Sequence, residues 1–225
     1  MGVFAGPNIV EDGLVLALDA ANPKSYPGSG TTWIDMSENG HNATLHSVTH
    51  SSANGGIFVI SGSSSTFIDN NTIDLTSSDF TVFCATRHTN TGHNGRLIGG
   101  RNNNFLVGHW YQHSEAFFAE GWIGGYSNNI LASAENSTDW KIYHGCGNIS
   151  ADSYDFYVND RTNATGSNAG SEGPDGLIIG KTLLYSNADY ESAEGEVSFV
   201  YYYNRVLSAN EVKQNFEATR GRFGI

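Results

Sequence analysis

Three carboxylates stand close together near the end of the chain, at Glu191, Glu194 and Glu196. Glu194 and Glu196 alternate within a strand-forming run, Glu194 to Tyr203 (EGEVSFVYYY), so the two side chains share a face. Paired carboxyl groups are the raw material of glycoside hydrolysis, which needs them about 5–5.5 Å apart for retention or about 6.5–9.5 Å apart for inversion. A glucanase-like strand would carry an acid at every second position. Position 198 is Ser, so the partner of the middle acid is missing, and Glu191 precedes the pair at the wrong phase. The acids read as the solvated start of a strand, and no catalytic residue is assigned.

Oxygen ligands gather at Asp69-Asn70-Asn71 with Asp74, and again at Asp152 with Asp155. Hard oxygens of this kind suit calcium, and Asp69, Asn71 and Asp74 are the calcium candidates. The run is no EF-hand loop, because Ile73 holds the fifth place and Asp74 the place that needs glycine. The competing explanation is turn formation by Asx side chains. His88, His93, His109 and His113 offer nitrogens, but His109 and His113 would share a face only on a helix, and this stretch reads as strand then loop. No Cys pair has zinc spacing. A G-x-S-x-G elbow, a P-loop and a G-x-G-x-x-G turn are absent, so no cofactor is expected.

The aromatic residues Trp110, Tyr111, Phe117, Phe118, Trp122 and Tyr126 form the densest candidate surface. Exposed Trp and Tyr stack on sugar rings or anchor a protein interface. Trp110, Tyr111, Trp122 and Tyr126 are therefore the candidate glycan- or partner-binding residues. The alternative is that Phe117 and Trp122 fill the interior.

The elements that would position these groups are short strands. Phe80 to Arg87 (FTVFCATR) places Phe80, Val82 and Cys84 on one side and Phe83 and Ala85 on the other. In the closing run, Val197, Phe199, Tyr201 and Tyr203 share one face, and Glu196, Ser198, Val200 and Tyr202 the other. Asn204 and Arg205 end it. Ser208 and Glu211 then make a capping box, with Leu207 and Val212 as its staple, and Val212 and Phe216 form the apolar edge of a short helix. Asp69-Asn70-Asn71 interrupts a strand over Thr66 to Leu75, and Asn159-Asp160 turns a hairpin. About a dozen short strands at intervals of roughly 8–12 residues predict an all-β antiparallel sandwich with one short C-terminal helix. Residues 1–225 read as one domain, with 216–225 as a C-terminal tail.

Composition narrows the partners. The net charge is −12, from 23 acidic and 11 basic residues, which repels a phosphate backbone and excludes nucleic acid. Charged residues make up only 15%, leaving amides and hydroxyls to face solvent, as suits sugars or a packed assembly. No run approaches the roughly 20 apolar residues of a membrane span. Met1-Gly2-Val3-Phe4-Ala5 leads to no long apolar run, so no signal peptide and synthesis in a cytoplasm are expected. Cys84 and Cys146 are then expected as buried free thiols.

Several segments together resemble the laminin-G-like, concanavalin-A-like jelly-roll family of lectins and glucanases. They are Asp12 to Leu16 with Leu18-Asp19-Ala20, Asn22 to Tyr26, Thr32 to Asp35, Asn39-Gly40 and Asn42 to Leu45. Phe80 to Arg87, Tyr154 to Asn159, Gly173 to Leu177, and Tyr203-Asn204-Arg205 with Leu207-Ser208 and Glu211 continue the pattern in family order. The resemblance implies a jelly roll whose closing strand returns beside the first. The closing Ala218 to Ile225 is similar to structural proteins of tailed bacteriophages, marine and cyanobacterial ones especially. That implies a non-enzymatic virion protein, a capsid decoration or accessory protein or else a tail component. It would be made in the host cytoplasm and contact other virion proteins, as a homo-oligomer or symmetric array. A lectin-like module for host-surface glycans is the alternative reading, and a glycoside hydrolase the third.

Overall fold

A strand covered on both faces sends apolar side chains to both sides, and Phe80–Ala85, apolar but for Thr81, is the clearest such run. Phe80, Val82 and Cys84 enter one core, and Phe83 and Ala85 a second, as the alternation predicts. The computed structural model describes residues 7–92, 95–110, 113–119, 137–167, 172–184 and 191–225. Among them are fifteen strands and one α-helix. In chain order the strands are β1 (Leu14–Asp19), β2 (Thr32–Trp33), β3 (Ala43–His46), β4 (Thr49–Ser51), β5 (Ile57–Ser61), β6 (Phe67–Asp74), β7 (Phe80–His88) and β8 (Ile98–Gly99). They continue with β9 (Leu106–Trp110), β10 (His113–Phe118), β11 (Lys141–Asn148), β12 (Ser153–Val158), β13 (Arg161–Ser167), β14 (Asp175–Ile179) and β15 (Glu194–Tyr203), and the helix is α1 (Ala209–Thr219).

The strands form two antiparallel sheets. The first runs β13-β12-β11-β7-β15-β5-β4, with β1 also paired to β15; the second runs β10-β9-β8-β14-β6-β3-β2. Between them lies the main core, which includes Trp33, Phe58, Phe105, Phe117, Phe156 and Tyr202. On the far face of the first sheet, Phe83, Ile142, Phe199, Tyr201 and Tyr203 meet Leu207, Val212 and Phe216. The protein is thus a two-sheet antiparallel sandwich with one C-terminal helix on its outside. Among the described residues, no helix is long and apolar enough to cross a membrane.

β15 departs from strict alternation. Its register against β7 slips between Val197 and Phe199, a bulge that gives Ser198 no regular place. Val197, Val200 and Tyr202 therefore face the inter-sheet core, while Phe199, Tyr201 and Tyr203 face α1. The expected grouping of Val197 with Phe199 is corrected by this one inserted residue. The bulge is held: the Ser198 hydroxyl donates to the Gly56 carbonyl at 3.0 Å and accepts from Arg222.

The expected capping box forms, with the Ser208 hydroxyl accepting from the Glu211 amide and the Glu211 carboxylate accepting from the Ser208 amide. Arg205 grips the same carboxylate, and these contacts, the Arg205 bond first, hold the Glu211 carboxyl down at about 2. α1 extends to Thr219 and Phe223 packs on Trp140 at 4.7 Å, so residues 216–225 dock on the body. Arg222 contacts both carboxylate oxygens of Asp19 at 3.0 Å. Asn215, buried on α1, accepts from the Val10 amide at 2.8 Å and donates to the Tyr203 hydroxyl at 3.2 Å.

One further expectation shifts. β6 continues through Asp69-Asn70-Asn71 instead of breaking there. Its irregularity follows, where the buried Asn70 side chain accepts from the amides of Thr72 and Ile73. Asn159, at φ 58°, turns the expected hairpin, and β13 is its second strand, at the edge of the sheet. Cys84 and Cys146 are buried free thiols. They lie in the two different cores, so they face away from each other across the first sheet. Burial pushes the Cys146 thiol up to about 12 and the Cys84 thiol up as well.

His144 stacks on Phe83 at 4.4 Å, fully buried, with no hydrogen-bond partner on either ring nitrogen. Burial lowers its pKa to about 3. His109 is also held well below the ordinary range, by burial first and then by His88 and Lys141. A histidine kept neutral in the fold binds fewer protons than in the unfolded chain below about pH 6.5, so stability falls as pH falls through that value. Replacing His144 with Phe is expected to flatten the stability–pH curve between about pH 6.5 and pH 4, by up to about 1.4 kcal/mol per pH unit. Urea midpoints across that range measure it, and an unchanged slope would remove His144 from the account. Asn215→Ala, which strands the Val10 amide, is expected to cost about 2 kcal/mol in the same assay.

Candidate functional site

The loop between β8 and β9 is Gly100 to Phe105, with three consecutive asparagines. Asparagine side chains mimic backbone, and here they knit loops together. Asn103 accepts from the Asp175 amide at 3.0 Å and donates to the Gly173 carbonyl at 2.8 Å. The Arg101 and Asn102 amides both donate to the Asp175 carbonyl. The Leu75 amide donates to the Pro174 carbonyl at 3.0 Å, which brings the β6–β7 loop alongside. Gly173 is required for that approach, since a Cβ there would lie 2.2 Å from the Leu75 carbonyl oxygen.

These loops surround a cleft of about 600 Å³ lined by Thr76, Asn102, Asn103, Asn104, Glu172, Asp175 and Leu184. Six of these seven described linings are polar. Asn102 donates to Asp175 Oδ1 at 2.9 Å and to Asn71 Oδ1 at 2.9 Å, so the amide is fixed by two acceptors. Asn104 accepts from Arg96 at 2.9 Å, and Arg96 is itself buried against Glu191. Glu172 is exposed at the cleft's edge.

The calcium candidates sit beside this cleft. The Arg101 guanidinium reaches Asp69 at 2.8 Å and Asn71 at 3.0 Å, and His46 takes the other Asp69 oxygen at 2.9 Å. A side-chain cation thus stands between the oxygens that the sequence offered to calcium. Asp74 turns instead to Thr76, whose amide (2.9 Å) and then hydroxyl (2.7 Å) hold its carboxyl below the usual range. Asp152 occupies a left-handed turn position at φ 50°. Among the described residues no group of three or more His, Cys, Asp or Glu side chains is placed to hold a metal ion.

The strand acids are also engaged. Arg87 binds Glu196 at 2.7 Å, Asn90 donates to Glu194 at 3.1 Å, and Glu191 is buried against Arg96. Of the aromatic candidates, Trp110 is half-buried at the end of β9, where β10 slips register. Phe117 is core, 5.4 Å from Phe156 and 6.0 Å from Phe105; Phe118 is half-buried. Tyr111, Trp122 and Tyr126 lie outside the described residues, as does His93. The sequence reading passed over the Asn102–Asn104 run. Its signal was present: three amides between two strand-like stretches, facing the Gly173-Pro174-Asp175-Gly176 turn noted only for family resemblance.

Residues 60–213 match the model of the concanavalin A-like lectin/glucanases superfamily. That is more than half of the sequence, and the chain belongs to this family. A comparison with curated protein sequences returned no match. Among solved structures, the chain is similar to domain 4 of AbnA, an extracellular arabinanase of Geobacillus stearothermophilus, in complex with arabinotriose. The identity is 12% and the TM-score 0.66, over 91% of this chain and 98% of that domain. It is similar to the binding domain of Paraclostridial Mosquitocidal Protein 1 at 15% identity and TM-score 0.61, over 92% of this chain and 52% of that one. The botulinum neurotoxin serotype D ligand-binding domain, in complex with N-acetylneuraminic acid, matches at 13% identity and TM-score 0.62, over 92% and 51% respectively. The chain spans about half the length of the two toxin domains. Identities this low establish a shared fold.

Because Arg101 already neutralises Asp69, millimolar calcium is expected to move the thermal midpoint by less than about 1 °C. Differential scanning calorimetry with calcium and with chelator checks this. A rise of several degrees would place a binding cation on the native state.

Proposed function

We propose that this chain is a non-catalytic carbohydrate-binding module that takes its ligand in the cleft between Asn102 and Glu172. The observation that carries the reading is the lining: three asparagine amides, a threonine hydroxyl and two carboxylates around about 600 Å³. An amide offers a donor and an acceptor side by side, and a carboxylate accepts twice, which matches neighbouring sugar hydroxyls. The volume lies in the range of small-molecule sites. Two similar folds are recorded with sugars bound, arabinotriose in one and N-acetylneuraminic acid in the other, which supports the reading by analogy of fold.

The non-catalytic part rests on the strand acids. Glu196 is tied to Arg87, Glu191 to Arg96 and Glu194 to Asn90, so each of these three acids is engaged by the chain's own side chains. The virion setting rests on the sequence resemblance to tailed-phage structural proteins. A head-surface or tail position, with contacts to other virion proteins, would present the cleft to host-surface glycans. Mass spectrometry of purified particles tests that setting, and absence from them removes it.

Binding is tested on a glycan array, followed by calorimetric titration of the sugars that score. Thr76→Ala and Glu172→Ala are each expected to weaken binding about fivefold to tenfold, the worth of one or two hydrogen bonds. Circular dichroism checks that both variants fold. Silence across the array, or full affinity in the double variant, would sink the proposal.

A further inference from the structure

The placement of every positive charge in the chain bears on which saccharide the cleft accepts. The sequence holds 11 Lys and Arg residues, and all of them fall among the described residues: Lys24, Arg87, Arg96, Arg101, Lys141, Arg161, Lys181, Arg205, Lys213, Arg220 and Arg222. None lines the cleft. Eight of them, Arg87, Arg96, Arg101, Lys141, Arg161, Arg205, Arg220 and Arg222, are ion-paired to carboxylates of the chain. Lys181 donates to the Ser64 carbonyl and sits 3.5 Å from the Phe67 ring centre. Lys24 lies in the β1–β2 loop, and Lys213 on α1, which packs outside the first sheet.

Two cations touch cleft residues: Arg96, buried against Glu191, donates to Asn104 at 2.9 Å, and Arg101 donates to Asn102 at 3.1 Å; the geometry of Arg101 is decisive. Its Nε and Nη1 are directed to Asp69, Asn71 and the Asn102 side-chain oxygen, so it holds the wall from behind. Among the described residues the cleft exposes two carboxylates, Glu172 and Asp175, and no cation. Acid-sugar recognition rests on arginine or lysine donors, because a buried or half-buried carboxylate needs a charge-assisted partner. Facing Glu172 and Asp175, an anionic sugar meets like charge and loses its hydration together.

We infer that the ligand of this cleft is an uncharged saccharide, and that sialylated, uronate and sulfated glycans are excluded. The inference rests on the carbohydrate-binding reading and adds the ligand's charge class to it. Asn102, fixed by Asp175 and Asn71, and the acceptors of Glu172 and Asp175 then receive hydroxyl donors from adjacent ring carbons. The same fold is recorded with the acidic sugar N-acetylneuraminic acid in a toxin domain, so the charge class separates this cleft from fold-level analogy.

The test uses the full chain and sugars of three charge classes, followed by calorimetry and by backbone-amide NMR shifts at Asn102, Asn103 and Glu172. The neutral probes are arabinotriose and the N-acetylglucosamine trimer. Sialyllactose and trigalacturonate are the anionic ones, and the glucosamine trimer is the cationic one. A neutral probe is expected to bind at least about tenfold more tightly than either acid, with an affinity that changes less than about twofold between low and high salt. Glu172→Lys is expected to narrow the gap to the acids at least about fivefold. An acid sugar that binds within tenfold of the neutral probes, with shifts at those amides, overturns the inference and leaves the carbohydrate reading standing. A glucosamine trimer that binds tenfold more tightly than its acetylated counterpart also overturns it, because the site would then select a cation. If no saccharide of any class shifts the cleft amides, the carbohydrate reading falls and the inference falls with it.

Discussion

β15 must be buried on both faces, and the rest of the sandwich is arranged to do this. β7 pairs along one side of it, while β5 and β1 share the other side end to end. One face of its C-terminal half fills the inter-sheet core and the other needs a separate cover, which α1 supplies. Ten residues of strand cannot alternate into two cores and still carry Glu194 and Glu196 at the surface without an adjustment. The bulge at Ser198 makes it, keeping both acids on the helix side where Arg87 reaches Glu196. Arg222 then ties the bulge to Asp19, so both ends of the described chain lock onto one element. Gain from two-sided apolar burial is large enough to hold several polar residues in fixed places.

Those fixed polar residues fall into two groups with different roles. Around α1 they are structural: Asn215, Tyr203 and Val10 satisfy one another, and Arg205 with Glu211 closes the cap. At the far end, on the second sheet, Asn102 and Asn103 hold loops whose backbones have no sheet partner, and the remaining polar edges face an open cleft. Most buried polar groups in a fold have a hydrogen-bond partner. Here the Asn102 and Asn103 amides meet that need, and Glu172 stays exposed at the cleft's edge. The proposed binding surface is built on the same asparagines that pack the loops.

The concanavalin A-like fold was legible because its signals are local and redundant. The two-sided run at Phe80–His88, the Ser208–Glu211 capping box and the Asn159 turn each depend on a few adjacent residues, and each forms as read. The cleft was less legible. Its linings come from four loops and strand ends far apart in sequence, and the attention drawn to Asp69, Asn71 and Asp74 was right in place but wrong in partner. Arg101, thirty residues on, takes the role offered to an external cation. Glu194 and Glu196 show the same limit, since their engagement depends on Asn90 and Arg87 from a strand pairing that begins more than a hundred residues earlier.

By itself the sequence determined the strand-and-turn grammar, the helix cap, the acidic balance and the count of cations. These are set by side-chain type and short-range spacing, which the unfolded chain already carries. Tertiary structure alone decided the phase of β15 after Ser198, the sheet order, and the grouping of Thr76, Asn102, Glu172 and Asp175 around one cleft. It also decided that Arg101 faces Asp69 and not the cleft. The reason is physical: ion pairs, bulges and clefts are fixed by which distant backbones pack together, and packing selects among partners that local spacing leaves equivalent.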